Sequence, residues 1–257
     1  MMVPLLRIAS ASDIHLGHKN TPTAKIIENL DRYLTNDEVF SSIDMLILPG
    51  DVLEGLMIAD SEEAYLYEGW VCRMLILAMR HNTCVRVLRG TPSHDWRQSQ
   101  KFVSVKDMLE SYSGQKVDME YIDELKIEHI ERFGIDVLYI PDEWGAGPAD
   151  AIKQARAALQ ERGLEKVDFT VMHGMCRYQM DAGIENLPLY SEPDLLEITR
   201  YLVFIGHVHQ YSNYERIYSQ GSFDRLCHGD EAPKGYLRAD VQRDGAYDLR
   251  FIENKHA

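Results

Sequence analysis

Five short runs of apolar and β-branched residues punctuate the chain: Leu5 to Ala9 (LLRIA), Met45 to Leu48 (MLIL), Cys84 to Leu88 (CVRVL), Phe169 to Met172 (FTVM) and Tyr201 to Ile205 (YLVFI). Apolar side chains at consecutive positions are what a strand covered on both faces requires, so these runs read as buried strands. Segments with helical character separate several of them: Thr23 to Leu34, Glu62 to Met79 with its stripe of Met and Leu, Gln98 to Tyr112, and Ala149 to Arg162. Strand alternating with helix points to a layered α/β core. The acidic group Asp60 to Glu63 then reads as the cap and first turn of a helix, where the dipole favours negative charge.

The segment Met119 to Ile140 changes the rhythm. Its alternating pattern, with Phe133-Gly134 as a turn, predicts two or three antiparallel strands beside the core. A second strand pair is expected in Gly235 to Glu253, turning at Arg243-Asp244-Gly245. A mixed sheet system follows. No repeat, low-complexity tract or linker marks a boundary, so residues 1–257 read as one domain.

Composition narrows this picture. A chain of 257 residues can bury a substantial core, and 45% hydrophobic with 26% charged residues is ordinary for a folded soluble protein. The N-terminus MMVPLLRIASAS is too short and too weakly apolar for a secretory leader, and no run is long enough to span a bilayer. A cytoplasmic protein without a membrane partner is expected. Cys72, Cys84, Cys176 and Cys227 lie far apart with no CxxC pair, so they read as thiols within the core rather than disulfides or a zinc knuckle. The formal net charge of −14 argues against broad non-specific binding to nucleic acid. Part of that charge can instead be carboxylates that become tolerable when cations bind.

Chemistry enters at the ends of the five strands. The first leads to Asp13-Ile14-His15, the second to Gly50-Asp51, the third to Ser93-His94-Asp95, the fourth to His173-Gly174 and the fifth to Gly206-His207-Val208-His209. Ligands of open α/β sheets gather at the carboxyl edge of the strands, so these five loops are expected to converge. Asp13 with His15, and His207 with His209, stand two residues apart and share a face in extended backbone. A carboxylate such as Asp51 can bridge two cations, and imidazoles suit zinc, iron or nickel, and manganese more weakly. Two divalent ions about 3.5–4 Å apart clamp a phosphate and lower the pKa of a bridging water. Taken singly, Asp-x-His is more often a cap or surface pair, and Gly-Asp a turn. Five of the ten histidines falling just after strands, in this order, is a pattern that chance placement rarely makes.

The same order, from Asp13-Ile14-His15 through Gly50 to Glu54, Gly90 to Asp95, His173-Gly174 and Gly206 to His209, resembles the calcineurin-like metallophosphoesterase superfamily over residues 8–209. Within it, Asp13 to Gly17, Gly221-Ser222-Phe223-Asp224-Arg225, Gly229-Asp230-Glu231 and Lys234-Gly235-Tyr236 look like the SbcD-type nuclease subunit of double-strand-break repair. The resemblance implies a four-layer α/β/β/α sandwich of two mixed sheets flanked by helices. It also implies two divalent metal ions, manganese first and zinc, iron or magnesium as alternatives. Asp13, His15 and His209 would hold one ion, His173 and His207 the other, with Asp51 bridging. His94 would be the catalytic histidine, protonating the leaving oxygen or holding the scissile phosphate, and metal-activated hydroxide would be the nucleophile.

Two positions depart from the family pattern. The third loop of the family usually reads Gly-Asn-His followed by Asp or Glu, and its asparagine oxygen ligates the second metal. Here Ser93 stands directly before His94, and a hydroxyl is a poorer ligand. Glu54 stands where aspartate is common and can still serve as a hydrogen-bond partner to a ligand. Arg97, Arg177 and Tyr178 are candidates for substrate contact, the arginines through bidentate phosphate recognition and Tyr178, like Trp96, through stacking on a base. Arg89 and Arg225 are further phosphate candidates, with a surface salt bridge the bland reading of each. His18, His81, His129, His228 and His256 read as solvated or structural, although His18 is near enough to the first motif to reach substrate.

The expected reaction is metal-dependent phosphodiester hydrolysis, with DNA as the leading substrate of a compact exo/endonuclease. A small-molecule phosphodiesterase or phosphatase is the first alternative, and a non-catalytic metal-binding scaffold the second. An SMC-like ATPase of SbcC type is the partner the resemblance implies. The chain leaves no room, however, for the family's full capping domain or its ATPase-binding helices. A homodimer is compatible with the sequence.

Overall fold

The structure, a computed structural model, describes residues 5–142, 147–180, 187–227 and 229–257. Two mixed sheets of six strands each lie face to face among the described residues. The first contains β1 (Leu6–Ser10), β2 (Met45–Leu48), β3 (Cys84–Leu88), β4 (Met119–Ile122), β11 (Gly235–Val241) and β12 (Tyr247–Glu253), in the order β12-β11-β1-β2-β3-β4. The second runs β5-β6-β7-β8-β10-β9, from β5 (Lys126–Ile130), β6 (Ile135–Ile140), β7 (Val167–His173), β8 (Thr199–Gly206), β9 (Ser212–Tyr214) and β10 (Ile217–Ser219). Within them β1, β2 and β3 pair in parallel, as do β6, β7 and β8.

Helices cover the two outer faces. On the first sheet lie α1 (Thr23–Tyr33), α3 (Glu62–His81) and α5 (Lys101–Ser113), and a short α2 (Asp37–Phe40) precedes β2. On the second lie α6 (Pro148–Arg162) and α7 (Glu192–Ile198), while a single turn, α4 (Pro92–Asp95), follows β3. The apolar side chains divide accordingly into three layers. Trp70, Met74 and Phe102 pack beneath the first sheet's helices, Tyr139, Phe169 and Phe204 fill the space between the sheets, and Ile152, Leu159 and Leu195 join the second sheet to its helices. The architecture is a four-layer α/β/β/α sandwich. Truncating one fully buried side chain such as Phe204 to alanine would cost about 3–5 kcal/mol.

Local sequence explains the element ends. Ser61 accepts from the Ala64 backbone N–H at 3.2 Å and opens α3, whose first turn carries Glu62 and Glu63. Asn82 closes that helix in the left-handed conformation. All five apolar runs are strands, and the four helical segments are helices within one to three residues, with Gln98–Gln100 forming a 3-10 turn before α5. Residues 119–140 do form three strands, but only β5 and β6 are an antiparallel pair. β4 instead pairs in parallel with β3. The chain therefore crosses from one sheet to the other between Ile122 and Lys126, and the alternation alone does not reveal a change of sheet. All four cysteines are free, with Cys84 and Cys176 buried but Cys227 exposed rather than in the core. No helix among the described residues is long and apolar enough to cross a membrane. His228 lies outside the described residues.

Candidate metal centre

The carboxyl ends of the parallel strands of both sheets meet along one edge, and the loops that leave them supply the site. The loop after β1 threads against the loop after β2: Ile14 N–H donates to the Asp51 carbonyl at 2.8 Å, His15 N–H to the same oxygen at 3.1 Å, and Leu16 N–H to the Val52 carbonyl at 2.9 Å. These bonds hold Asp13, His15 and Asp51 at φ of 51°, 54° and 48°, in the left-handed region, and His207 has φ of 110°. Non-glycine residues rarely adopt such conformations, and they persist only where surrounding contacts over-determine them. Here the contacts aim four polar side chains at one place.

Three groups of side chains follow: Asp13, His15 and His209; His15, Asp51 and His94; and Asp51, His173 and His207. Their donor atoms lie within 4.8 Å of one another in each group. In the first, His15 Nε2 is 3.0 Å from His209 Nε2, while Asp13 Oδ1 is 3.7 Å from His209 Nε2 and 4.0 Å from His15 Nε2. In the third, Asp51 Oδ2 is 3.2 Å from His173 Nε2. Asp51 belongs to both the second group and the third.

The surroundings fix which ring nitrogens face inward. His173 Nδ1 contacts the Pro49 carbonyl at 2.7 Å, an acceptor that keeps a proton on Nδ1 and turns Nε2 towards Asp51. His15 Nδ1 stands 2.6 Å from Glu54 Oε2, a close contact though bent away from ideal hydrogen-bond alignment. Asp13 accepts the His207 backbone N–H at 3.0 and 3.1 Å, and the Ser12 hydroxyl donates to it as well. Asp51 accepts the Thr91 N–H at 2.6 Å and the Thr91 hydroxyl at 3.1 Å, and meets His94 Nδ1 at 3.0 Å. Two glycines make room. A Cβ on Gly90 would lie 2.1 Å from Asp51 Oδ1, and one on Gly50, where φ is +90°, would lie 2.2 Å from His173 Nδ1.

Charge is concentrated here. Burial alone would raise the Asp51 carboxyl, but the neighbouring His173 charge and the hydrogen bonds from His173 and His94 outweigh it and hold it far below the usual carboxylate range. Burial opposes a charge on His173, yet Asp51 overcomes that and the ring is pushed up to about 9. The hydrogen bond to Asp51 also raises His94. Burial lowers His207 and His209.

The donor set fits divalent metal ions. Nitrogen and oxygen ligands sit about 2.0–2.2 Å from zinc, which separates neighbouring ligands by about 3–4 Å, the spacing seen in the first group. Two imidazole nitrogens 3.0 Å apart, with one lone pair facing another or one shared proton, form an arrangement that a cation relieves. His207 Nδ1 is buried and has no hydrogen-bond partner among the described residues. Carboxylate and imidazole ligands are shared by manganese, iron and zinc, so the set does not select among them.

No protein-family model matches the chain, and no curated protein matches it by sequence. Its fold is shared with a solved structure. TT1561 of Thermus thermophilus superposes with a TM-score of 0.52 over 96% of this chain and 98% of its own, at 12% identity. A second solved structure aligns over 96% of this chain and 99% of its own with a TM-score of 0.49 and 10% identity. At such identity the likeness to TT1561 is one of architecture alone.

The structure thus brings together Asp13, His15, Asp51, His94, His173, His207 and His209. It does not bring Ser93 to them. Ser93 opens outward in the α4 turn and lines a separate groove with Arg97 and Trp96, whereas Thr91, two residues earlier, places its hydroxyl 3.4 Å from His173 Nε2. Asp95 turns inward and anchors the loop through the Tyr121 hydroxyl at 3.2 Å. Arg97 and Arg177 are exposed, and Tyr178 packs on Tyr214 with ring centroids 5.8 Å apart. Arg89 is engaged with the Asp142 carbonyl at 3.0 and 3.2 Å.

Two contributors lie in stretches that the sequence singles out but carry no role of their own there. Thr91 carries no motif signal, because a hydroxyl between Gly and Pro reads only as a turn. Lys234 is fully buried, pairs with Asp230 at 2.6 Å and donates to the His209 carbonyl at 2.8 Å. Ser222 N–H reaches that carbonyl too, at 3.2 Å. The late stretches therefore buttress His209.

Proposed function

We propose that the chain is a metal-dependent phosphodiester hydrolase of the calcineurin-like metallophosphoesterase type. The observation that carries this reading is the shared position of Asp51, between a group containing His15 and one containing His173 and His207. A carboxylate so placed suits two adjacent ions, with Asp13, His15 and His209 holding one and His173 and His207 the other. Divalent ions bound there would neutralise phosphoryl charge and lower the pKa of water. The chain's own groups do the rest. Asp51 orients His94 through Nδ1 and leaves Nε2 free to hold a phosphate oxygen or give a proton to the departing ester oxygen. Glu54 and the Pro49 carbonyl fix the His15 and His173 rings. In balance, water adds to phosphorus and the ester oxygen leaves as the alcohol.

A second reading, DNA cleavage in the SbcD manner, draws support from the late stretches that brace His209. A non-catalytic scaffold is disfavoured, since it would not need His94 at the open side of Asp51. The experiment is a manganese-dependent assay on linear DNA, cyclic nucleotides and bis-p-nitrophenyl phosphate, with Asp51→Asn and His94→Ala as controls. Cleavage of at least one diester, lost in both variants, is expected. A wild type that binds no divalent metal and cleaves none of them sinks the enzyme reading, and cleavage of small diesters without DNA sinks the nuclease.

A further inference from the structure

A cavity of about 540 Å³ opens onto the third metal-competent group, with His173 and His207 forming part of its wall. That volume is in the range of small-ligand pockets. Much of its lining is apolar, including Leu125, Ile140, Pro141, Met175 and Tyr190. One carboxylate interrupts it. Asp142 is held in place by its own backbone, whose carbonyl accepts from Arg89 at 3.0 and 3.2 Å and whose N–H donates to the Arg89 carbonyl at 3.3 Å. Its side chain has no hydrogen-bond or ion-pair partner among the described residues, and it stands outside the three groups of candidate metal ligands. A half-buried carboxylate whose oxygens accept no hydrogen bond among the described residues, in a largely apolar wall, suits a ligand that brings a charged donor.

Resting on the phosphodiesterase reading, we propose that this cavity holds the organic arm of the substrate. The arm has an apolar body and one amino or ammonium group near the phosphate, which Asp142 receives. The place of Asp142 decides the class. Asp142 lines the same cavity as His173 and His207, so a positive charge that it receives lies on the wall of the candidate metal site rather than at a distant tip. A nucleic-acid strand laid through the same cavity would bring further phosphates against the Asp142 carboxylate, and like charges so juxtaposed repel. An amino-alcohol diester meets both features.

The test uses two diesters with one leaving group, p-nitrophenyl 2-aminoethyl phosphate and p-nitrophenyl ethyl phosphate, on the manganese-loaded protein. In each, water adds to phosphorus, p-nitrophenolate departs, and the arm stays on the product phosphate. A charge-assisted contact predicts a preference of about tenfold or more in kcat/KM for the aminoethyl ester. Asp142→Asn brings that ratio to about one, and Asp142→Glu retains a preference. A wild-type ratio at or below one, or a ratio that survives Asp142→Asn, overturns the assignment even though cleavage of the ethyl ester upholds the hydrolase. Failure to cleave either ester with metal bound removes the hydrolase reading itself. The wild-type ratio decides the matter if the variants do not fold.

Discussion

Asp51 Oδ2 and His173 Nε2 stand 3.2 Å apart across the interface of the two sheets, one at the end of the first sheet's β2 and the other closing the second sheet's β7. Asp51 also gathers Thr91 and His94. Replacing it with asparagine keeps the volume but removes the negative charge that two ions would share. Asp51→Asn should lower manganese affinity at least about 100-fold, measured by calorimetric titration.

Glu54 tests the outer layer of the site. Its carboxylate lies against His15 Nδ1, and the imidazole lowers it below the ordinary glutamate range. Partners of this kind orient a ligand ring, and their loss costs about 10–100-fold in metal affinity or activity. Glu54→Gln should fall in that range for manganese binding while leaving the circular dichroism spectrum unchanged. An unaltered affinity would mean that the bent contact with His15 contributes nothing.

Thr91 and Ser93 separate two accounts of the third loop. Thr91 donates to Asp51 and approaches His173, whereas Ser93 faces outward. Thr91→Val should therefore reduce hydrolysis of bis-p-nitrophenyl phosphate by about tenfold, and Ser93→Ala should leave it within about twofold. The reverse order would show that the loop rearranges around Ser93 when metal binds.

Lys234 supports His209 from outside the site. Its ammonium is buried against Asp230 and the His209 carbonyl. Lys234→Met leaves that carboxylate and carbonyl without their donor, so weaker manganese binding and a lower melting temperature should appear together. Weaker stability with unchanged metal affinity would limit Lys234 to a structural part.

The sheets are also joined by a buried ion pair outside the metal groups. Arg86, on β3 and only 4% exposed, meets Glu128 on β5 at 2.6 and 2.8 Å, and the Tyr139 hydroxyl donates to the same carboxylate at 2.9 Å. Burial works to raise the Glu128 carboxyl, but Arg86 prevails and lowers it. A depressed folded value means stability that is present above the unfolded value of about 4.3 and lost as pH falls through the folded one. Glu128→Gln should cost about 1.5–3 kcal/mol at pH 7 by urea denaturation, because Arg86 loses its charged partner on the second sheet and keeps only Asp118, at 2.9 Å. The gap should narrow below about pH 4.

Much of this was legible in the residues. Consecutive apolar positions such as Met45 to Leu48 mark strands buried on both faces, and the capped, acidic start of α3 marks a helix. The seven histidines and aspartates at strand ends were readable because open α/β sheets put ligands at one edge. What escaped depends on tertiary contact. The parallel pairing of β4 with β3 turns on which sheet a short strand joins, and β9 and β10 have only three residues each. Whether Thr91 or Ser93 faces Asp51 turns on the direction of a single helical turn after Thr91-Pro92. Asp142 could not be separated from other aspartates until a cavity stood before it.

Counting manganese bound per chain by equilibrium dialysis, in wild type and in Asp51→Asn, tests the central claim most directly. Two ions per wild-type chain, falling to one or none in the variant, is the result expected of two metal groups joined at Asp51. No bound ion in the wild type, or a count that Asp51→Asn leaves untouched, would contradict it.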